Sequence, residues 1–334
     1  MVLRRMLAQR RVPGALLFAG EDGVGKKLFA VELAKALNCR ARVSGEACDQ
    51  CTGCLHATRF EFPDPEDTEA NKHIIWSGHQ DVGLIHAAGR FITVGQIREL
   101  DREVNFRPSE GAARVFIVED ADKLNEASSN ALLKTLEEPP STSHVILLTS
   151  RPASLLPTIR SRCQTVRFAL LTAKEIEDYL VQNRRRSGHE ARLAAHLARG
   201  RLGPGLELNL EEYCAERQVM LGILEALTIN FDRARLLRVA EELADAKHKD
   251  EYEPHLEVLE TLMHDLWLLS LNETKAELVN EDIREILTRL GKAVSSRRVA
   301  AWLERIEDLR RQLAVNINRR AATDALFLAM AAEH

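Results

Sequence analysis

The chain has 334 residues, 45% of them hydrophobic and 29% charged, which is enough material for two or three domains that each bury a core. A formal net charge of -4 and a pI near 6.3 exclude a protein that coats nucleic acid through global positive charge; any DNA contact must be local or indirect. Met1 to Gln9 lacks the apolar stretch of a secretion signal, and no later run approaches the roughly 20 apolar residues of a membrane span, so a cytoplasmic protein with no membrane partner is expected.

In chain order, Ala15 to Ala19 is an apolar run that predicts a strand, followed by a glycine-rich turn and helical periodicity over Lys27 to Leu37. A segment holding four of the six cysteines comes next, then an acidic stretch from Glu61 to Ala70 with Pro63 and Pro65 that reads as a loop. Trp76, His79 and His86 fall in a segment read as irregular. Helical pattern returns at Val94 to Leu100. Strands are predicted at Arg114 to Glu119 and His144 to Thr149, bracketing a helix from Glu126 to Glu138 that stops at Pro139-Pro140. Strands alternating with helices imply a parallel sheet covered on both faces. Beyond about Phe168 only helices are expected: Leu171 to Asn183, Glu190 to Arg199, a turn at Gly203-Pro204-Gly205, then long amphipathic helices. Leu256, Leu259, Leu262, Met263, Leu266 and Leu269 form an apolar stripe expected in a core or subunit interface. Arg184-Arg185-Arg186, beside Ser187-Gly188, reads as a solvated helix end.

Three sites stand out. Gly20-Glu21-Asp22-Gly23-Val24-Gly25-Lys26 fits G-x-x-x-x-G-K between a strand and a helix, where backbone N–H groups and the lysine can cradle phosphates. The following position needs a Ser or Thr hydroxyl to ligate magnesium, yet it is Lys27, whose ammonium has no lone pair and repels a metal. The second half of an ATPase site needs a strand ending in Asp-Glu, and here the strand runs into Glu119-Asp120, the reverse order. Phosphate binding by the loop remains open to ATP or ADP, while efficient hydrolysis is not expected. Cys39, Cys48, Cys51 and Cys54 give C-x8-C-x2-C-x2-C, which suits a structural zinc ion; an iron-sulfur cluster or unligated thiols are the other readings, and His56, since four cysteines already complete the shell, reads as a surface residue. Cys163 and Cys214 stand apart.

The run Ser128 to Pro140 followed by Ser161-Arg162-Cys163 strongly resembles the bacterial clamp-loader branch of the AAA+ proteins. The cysteine insert, Ile97-Arg98-Glu99-Leu100 and Asn316-Ile317-Asn318 are similar to the same family. The resemblance implies an AAA+ α/β domain over residues 1–167 with the zinc module at 39–54, a helical lid over 168–208 and a helical collar over 209–334. It also implies that Arg162 is an arginine finger for the ATP site of the adjacent subunit, and that Thr149 or Ser150 fills the polar sensor position. The implied partners are delta and gamma/tau subunits in a hetero-pentamer, the beta sliding clamp, and primed DNA through the complex. Lys27, the swapped acids and a helix after Gly203-Pro204-Gly205 that lacks the expected arginine all point to a stationary branch of the family. The alternative is an ATP-hydrolysing motor of the gamma/tau type.

Overall fold

The computed structural model describes residues 2–43, 45–64, 67, 69–87, 89–184, 186–244, 252–271, 277–313 and 318–332. Of the sequence features above, Pro65, Arg185, Asn316 and Ile317 lie outside the described residues. The chain divides into two compact units, residues 1–172 with 199–204, and residues 173–198 with 205–334.

The first unit carries α1 (Val2–Ala8), β1 (Ala15–Ala19), α2 (Lys26–Asn38), α3 (Thr52–Ala57), β2 (Ile75–Trp76), β3 (Val82–Ile85), α4 (Val94–Glu103), β4 (Arg114–Val118), α5 (Glu126–Glu137), β5 (Ser143–Thr149), α6 (Pro157–Arg160) and β6 (Gln164–Arg167). They form one six-stranded sheet in the order β2-β3-β4-β5-β1-β6. It is parallel except for the antiparallel β2–β3 pair at one edge. β1, β4 and β5 are buried along their whole length, which is why each reads in the sequence as an apolar run, Ala15–Ala19, Val115–Val118 and Val145–Leu148. Their side chains alternate between two cores. Leu17, Phe116, Val118, Val145 and Leu147 pack with Ile97 and Leu100 of α4 and Leu132 and Leu136 of α5. Leu16, Phe18, Val115, Ile117, Ile146 and Leu148 pack on the other side with Ala30, Leu33 and Ala34 of α2.

The α/β sheet expected from the sequence is therefore present, with two corrections. The segment containing Trp76 and His79, read as irregular, holds β2 and β3, and β6 adds an edge strand beside β1. These strands escape a pattern search for physical reasons. β2 has two residues, β3 is interrupted by Gly83, and β6 is a mostly exposed edge of Gln164, Thr165, Val166 and Arg167.

The second unit is helical: α7 (Ala173–Arg184), α8 (Gly188–Leu197), α9 (Leu202–Glu207, which begins in the first unit), α10 (Leu210–Glu225), α11 (Arg233–Leu243), α12 (Tyr252–Ser270), α13 (Arg284–Gly291), α14 (Ser296–Leu313) and α15 (Arg319–Ala332). The α12 stripe of Leu256, Leu259, Leu262, Met263 and Leu266 lies in its core with Trp302 and Phe327; Leu269 packs against that core. Arg186 turns inward, its Nη2 donating to Leu208 O at 2.8 Å. No helix among the described residues is long and apolar enough to cross a membrane.

Candidate functional site

The phosphate-type loop leaves β1 at Gly20, whose N–H donates to Thr149 O on β5 at 3.2 Å. Gly23 and Gly25 have φ of 80° and 98°, the left-handed region that only glycine enters freely, so the loop can turn tightly into α2. The first helical bond is Phe29 N–H to Gly25 O, which leaves the amides of Lys26, Lys27 and Leu28 ahead of the intrahelical ladder. Gly25, at the helix cap, supplies no side-chain acceptor for them. Such an end carries partial positive charge and suits an anion. Lys26 is buried, and its Nζ donates to Gly20 O at 2.7 Å, Glu21 O at 2.8 Å and Asp22 Oδ1 at 3.2 Å. Gly203 N–H donates to Gly23 O at 2.7 Å, and a Cβ on Gly23 would fall 2.8 Å from Pro204 Cδ; Gly203-Pro204-Gly205, expected as a turn, lies in α9, and the start of that helix requires glycine at position 23 as well.

The acids at the end of β4 each meet a cation of the chain. Lys27 Nζ stands 2.9 Å from Glu119 Oε1 and 4.9 Å from the centre of the Phe62 ring. Asp120, in a left-handed conformation with φ 47°, turns to Lys123 Nζ at 2.9 Å. Asp122 is nearly buried and accepts from Thr149 Oγ1 at 2.8 Å and from Arg151 Nε and Nη2 at 3.0 and 2.5 Å. Burial alone would raise the Asp122 carboxyl, but the hydrogen bonds from Thr149 and Arg151 outweigh it and hold the pKa below the usual value. Thr149 is thus engaged with Asp122, and Ser150 beside it is half-buried. The loop residues Gly20, Gly23, Gly25, Lys26 and Lys27 come together with Glu119, whereas Asp120 points to its own turn. Phe62, Asp122 and Arg151 were not singled out from the sequence; the third acid of the run Glu119 to Asp122 was the available signal.

Cys39 follows α2 directly, Cys48 and Cys51 sit before α3, and Cys54 lies within it. The four Sγ atoms lie within 4.8 Å of one another, a cluster that can hold a metal ion such as zinc. The Sγ separations of 3.4 Å for Cys51–Cys54 and 4.0 Å for Cys48–Cys54 bracket the edge of about 3.8 Å that a tetrahedron with zinc–sulfur bonds of about 2.3 Å would have. Backbone N–H bonds from Gln50 and Cys51 lower the Cys48 thiol to about 6, whereas burial pushes Cys54 up to about 12. A bound cation would hold all four as thiolates.

Arg162 follows the short helix α6. Its Nε donates to Glu137 Oε1 at 2.8 Å, and its Nη1 donates to Thr158 O at 3.0 Å. The side chain is about one third exposed, at 33%. The neighbouring Cys163 is buried among core residues that include Leu132, Leu136 and Ile159, and burial raises its thiol to about 12, so it packs rather than reacts. In Ser161-Arg162-Cys163 the cysteine fixes the backbone while the arginine reaches outward.

Residues 1–172 match the family model described as "DNA polymerase III, delta subunit", and residues 215–322 match its C-terminal counterpart. DNA polymerase III subunit delta' of Bacillus subtilis is 27% identical over 98% of this chain and 93% of its own length. The delta' subunit of Escherichia coli is 28% identical over 94% of this chain and 87% of its own. The tau subunit of Escherichia coli is 31% identical over 72% of this chain but only 36% of its own length. With a family model covering its first half and delta' relatives spanning nearly its whole length, the chain belongs to the DNA polymerase III clamp-loader delta' family, related to gamma/tau.

Proposed function

We propose that this protein is a stationary, delta'-type subunit that helps load the beta sliding clamp on primed DNA. In this reading it is a scaffold within the polymerase holoenzyme, its own ATP hydrolysis is absent or weak, and Arg162 completes the ATP site of a neighbouring subunit. A guanidinium aimed at the transferring phosphoryl group neutralises charge that grows in the transition state. The lid at 168–208 and the collar at 209–334 are proposed divisions of the helical region, the collar joining delta and gamma/tau subunits in a hetero-pentamer. Cys39, Cys48, Cys51 and Cys54 hold structural zinc.

The observation that carries the stationary reading over a motor is the ion pair of Lys27 with Glu119, which puts an ammonium where hydrolysis needs magnesium. The test is single-turnover ATP hydrolysis by the reconstituted loader. Arg162→Ala should leave assembly intact and slow the site that receives the arginine by about 10³-fold. Unchanged turnover sinks the arginine assignment. Loss of the complex's activity on Lys26→Ala would favour a motor instead.

A further inference from the structure

Magnesium does not fit the site beside the loop at Gly20 to Lys26. A metal there needs a hydroxyl after the loop lysine and at least one carboxylate with free charge at the end of β4. Lys27 offers no lone pair. Glu119 is paired to Lys27 at 2.9 Å, Asp120 to Lys123 at 2.9 Å and Asp122 to Arg151 at 2.5 Å, so each acid of the run already has a cation from its own chain. A divalent ion would have to break one of these pairs while standing against the ammonium of Lys27.

The anion-binding half of the site is built. The glycines at 23 and 25 let the backbone turn, the first-turn amides of α2 face no intrahelical acceptor, and Lys26 waits on loop carbonyls that a phosphate would replace. We infer that this chain binds the polyphosphate of ATP or ADP without a divalent cation, the ammonium of Lys27 acting as a tethered substitute for the metal. Glu119 orients that ammonium, and the Phe62 ring 4.9 Å away supports it from another side. One covalent charge replaces the two of magnesium. It bridges nothing and activates no water, so binding is separated from hydrolysis. The inference rests on reading the loop as a nucleotide site and is independent of the role given to Arg162.

The experiment is calorimetric titration of the purified full chain with ATP and with ADP, once in EDTA and once in saturating magnesium. The expected result is a Kd that differs by less than about threefold between the two conditions. Lys27→Thr restores a hydroxyl and frees Glu119. It should weaken binding in EDTA by about tenfold and regain that factor when magnesium is added. Lys27→Met keeps the stem without charge or hydroxyl; it should lose affinity in EDTA and gain nothing from magnesium. Lys26→Ala should abolish binding in both conditions, which locates the ligand in the loop. A wild-type affinity that rises about tenfold or more with magnesium overturns the inference and leaves the loop a nucleotide site. Wild-type affinity retained by Lys27→Met also overturns it. Absence of binding in either condition overturns the inference and the nucleotide reading together, while the arginine assignment keeps its own test in the assembled loader.

Discussion

Arg162 is held by Glu137 of its own chain: Nε donates to Oε1 at 2.8 Å, and Nη2 stands 2.5 Å from the same oxygen. Glu137 is the last residue of α5, whose start is fixed by the side chain of Asn125 accepting from Ser128 N–H. Both partners are substantially exposed, so the pair contributes only about 0–1 kcal/mol to stability. Its value is directional, since a planar guanidinium held at two donors has few ways to point.

Glu137→Ala should therefore leave the unfolding midpoint almost unchanged and slow ATP turnover in the reconstituted loader, by less than Arg162→Ala does. The double variant should match Arg162→Ala alone, because Glu137 acts through the arginine and has nothing left to position. A double-mutant cycle on single-turnover rates checks this. Additive effects would mean that the two residues act separately.

Asp81 gives a pH prediction. It is fully buried and accepts backbone N–H bonds from Ser109 at 2.7 Å, Glu110 at 3.0 Å and Gly111 at 2.8 Å, anchoring the chain that enters β4. Burial acts to raise its carboxyl, but these three bonds outweigh that and lower it. A carboxyl with a lowered folded pKa contributes stability that is present above its unfolded value of about 3.9 and is lost as pH falls through the folded value. Wild-type stability should thus drop below about pH 4, and Asp81→Asn should remove part of that slope while costing about 1–3 kcal/mol at neutral pH. Urea unfolding across pH 3 to 7, at about half-unit steps, measures both.

Much of this architecture was legible because burial on both sheet faces leaves apolar runs at Ala15–Ala19, Val115–Val118 and Val145–Leu148 within the three central strands. β2, β3 and β6 were hidden by short length, Gly83 and an exposed polar edge. At the candidate site, the oddity of Lys27 and the spacing of the cysteines were plain in the residues themselves. Their partners were not: Glu119 for Lys27, Arg151 for Asp122 and Glu137 for Arg162 are all brought in by tertiary folding. Asn38 is a similar case, its Oδ1 accepting from Ala112 and Ala113 N–H at 2.9 Å each across a long stretch of sequence.

The helical unit has a buried polar network that no motif announced. Asp265, fully buried on α12, accepts from Val279 N–H at 2.9 Å and from Asn280 N–H and Nδ2 at 2.8 and 2.9 Å. Asn280 in turn accepts from Tyr213 Oη at 2.8 Å and from Arg217 Nη1 at 3.1 Å, and Arg217 pairs with Asp282. Asp265→Ala leaves three donors without their acceptor, so it should destabilise this unit by about 3–5 kcal/mol and lower its melting temperature measurably. Asp265→Asn, which keeps an acceptor, should cost less. Wild-type melting of Asp265→Ala would show that the network contributes little.

The cysteine cluster yields a prediction that separates its possible occupants. Closure of four thiolates around zinc ties the end of α2 to α3, so the purified protein should carry one zinc ion per chain and show no visible absorption. An iron–sulfur cluster would absorb in the visible, and unligated thiols would react with a thiol reagent without chelator. Cys54 is the buried ligand and sits within α3, so Cys54→Ser should release the metal and open the module locally. Hydrogen exchange should rise over residues 39–57 while the strands β1, β4 and β5 stay protected, since, of the described residues in that segment, only Ala57 and Ala47 join their two cores. Loss of protection throughout the sheet on metal removal would instead mean that the ion supports the whole α/β domain.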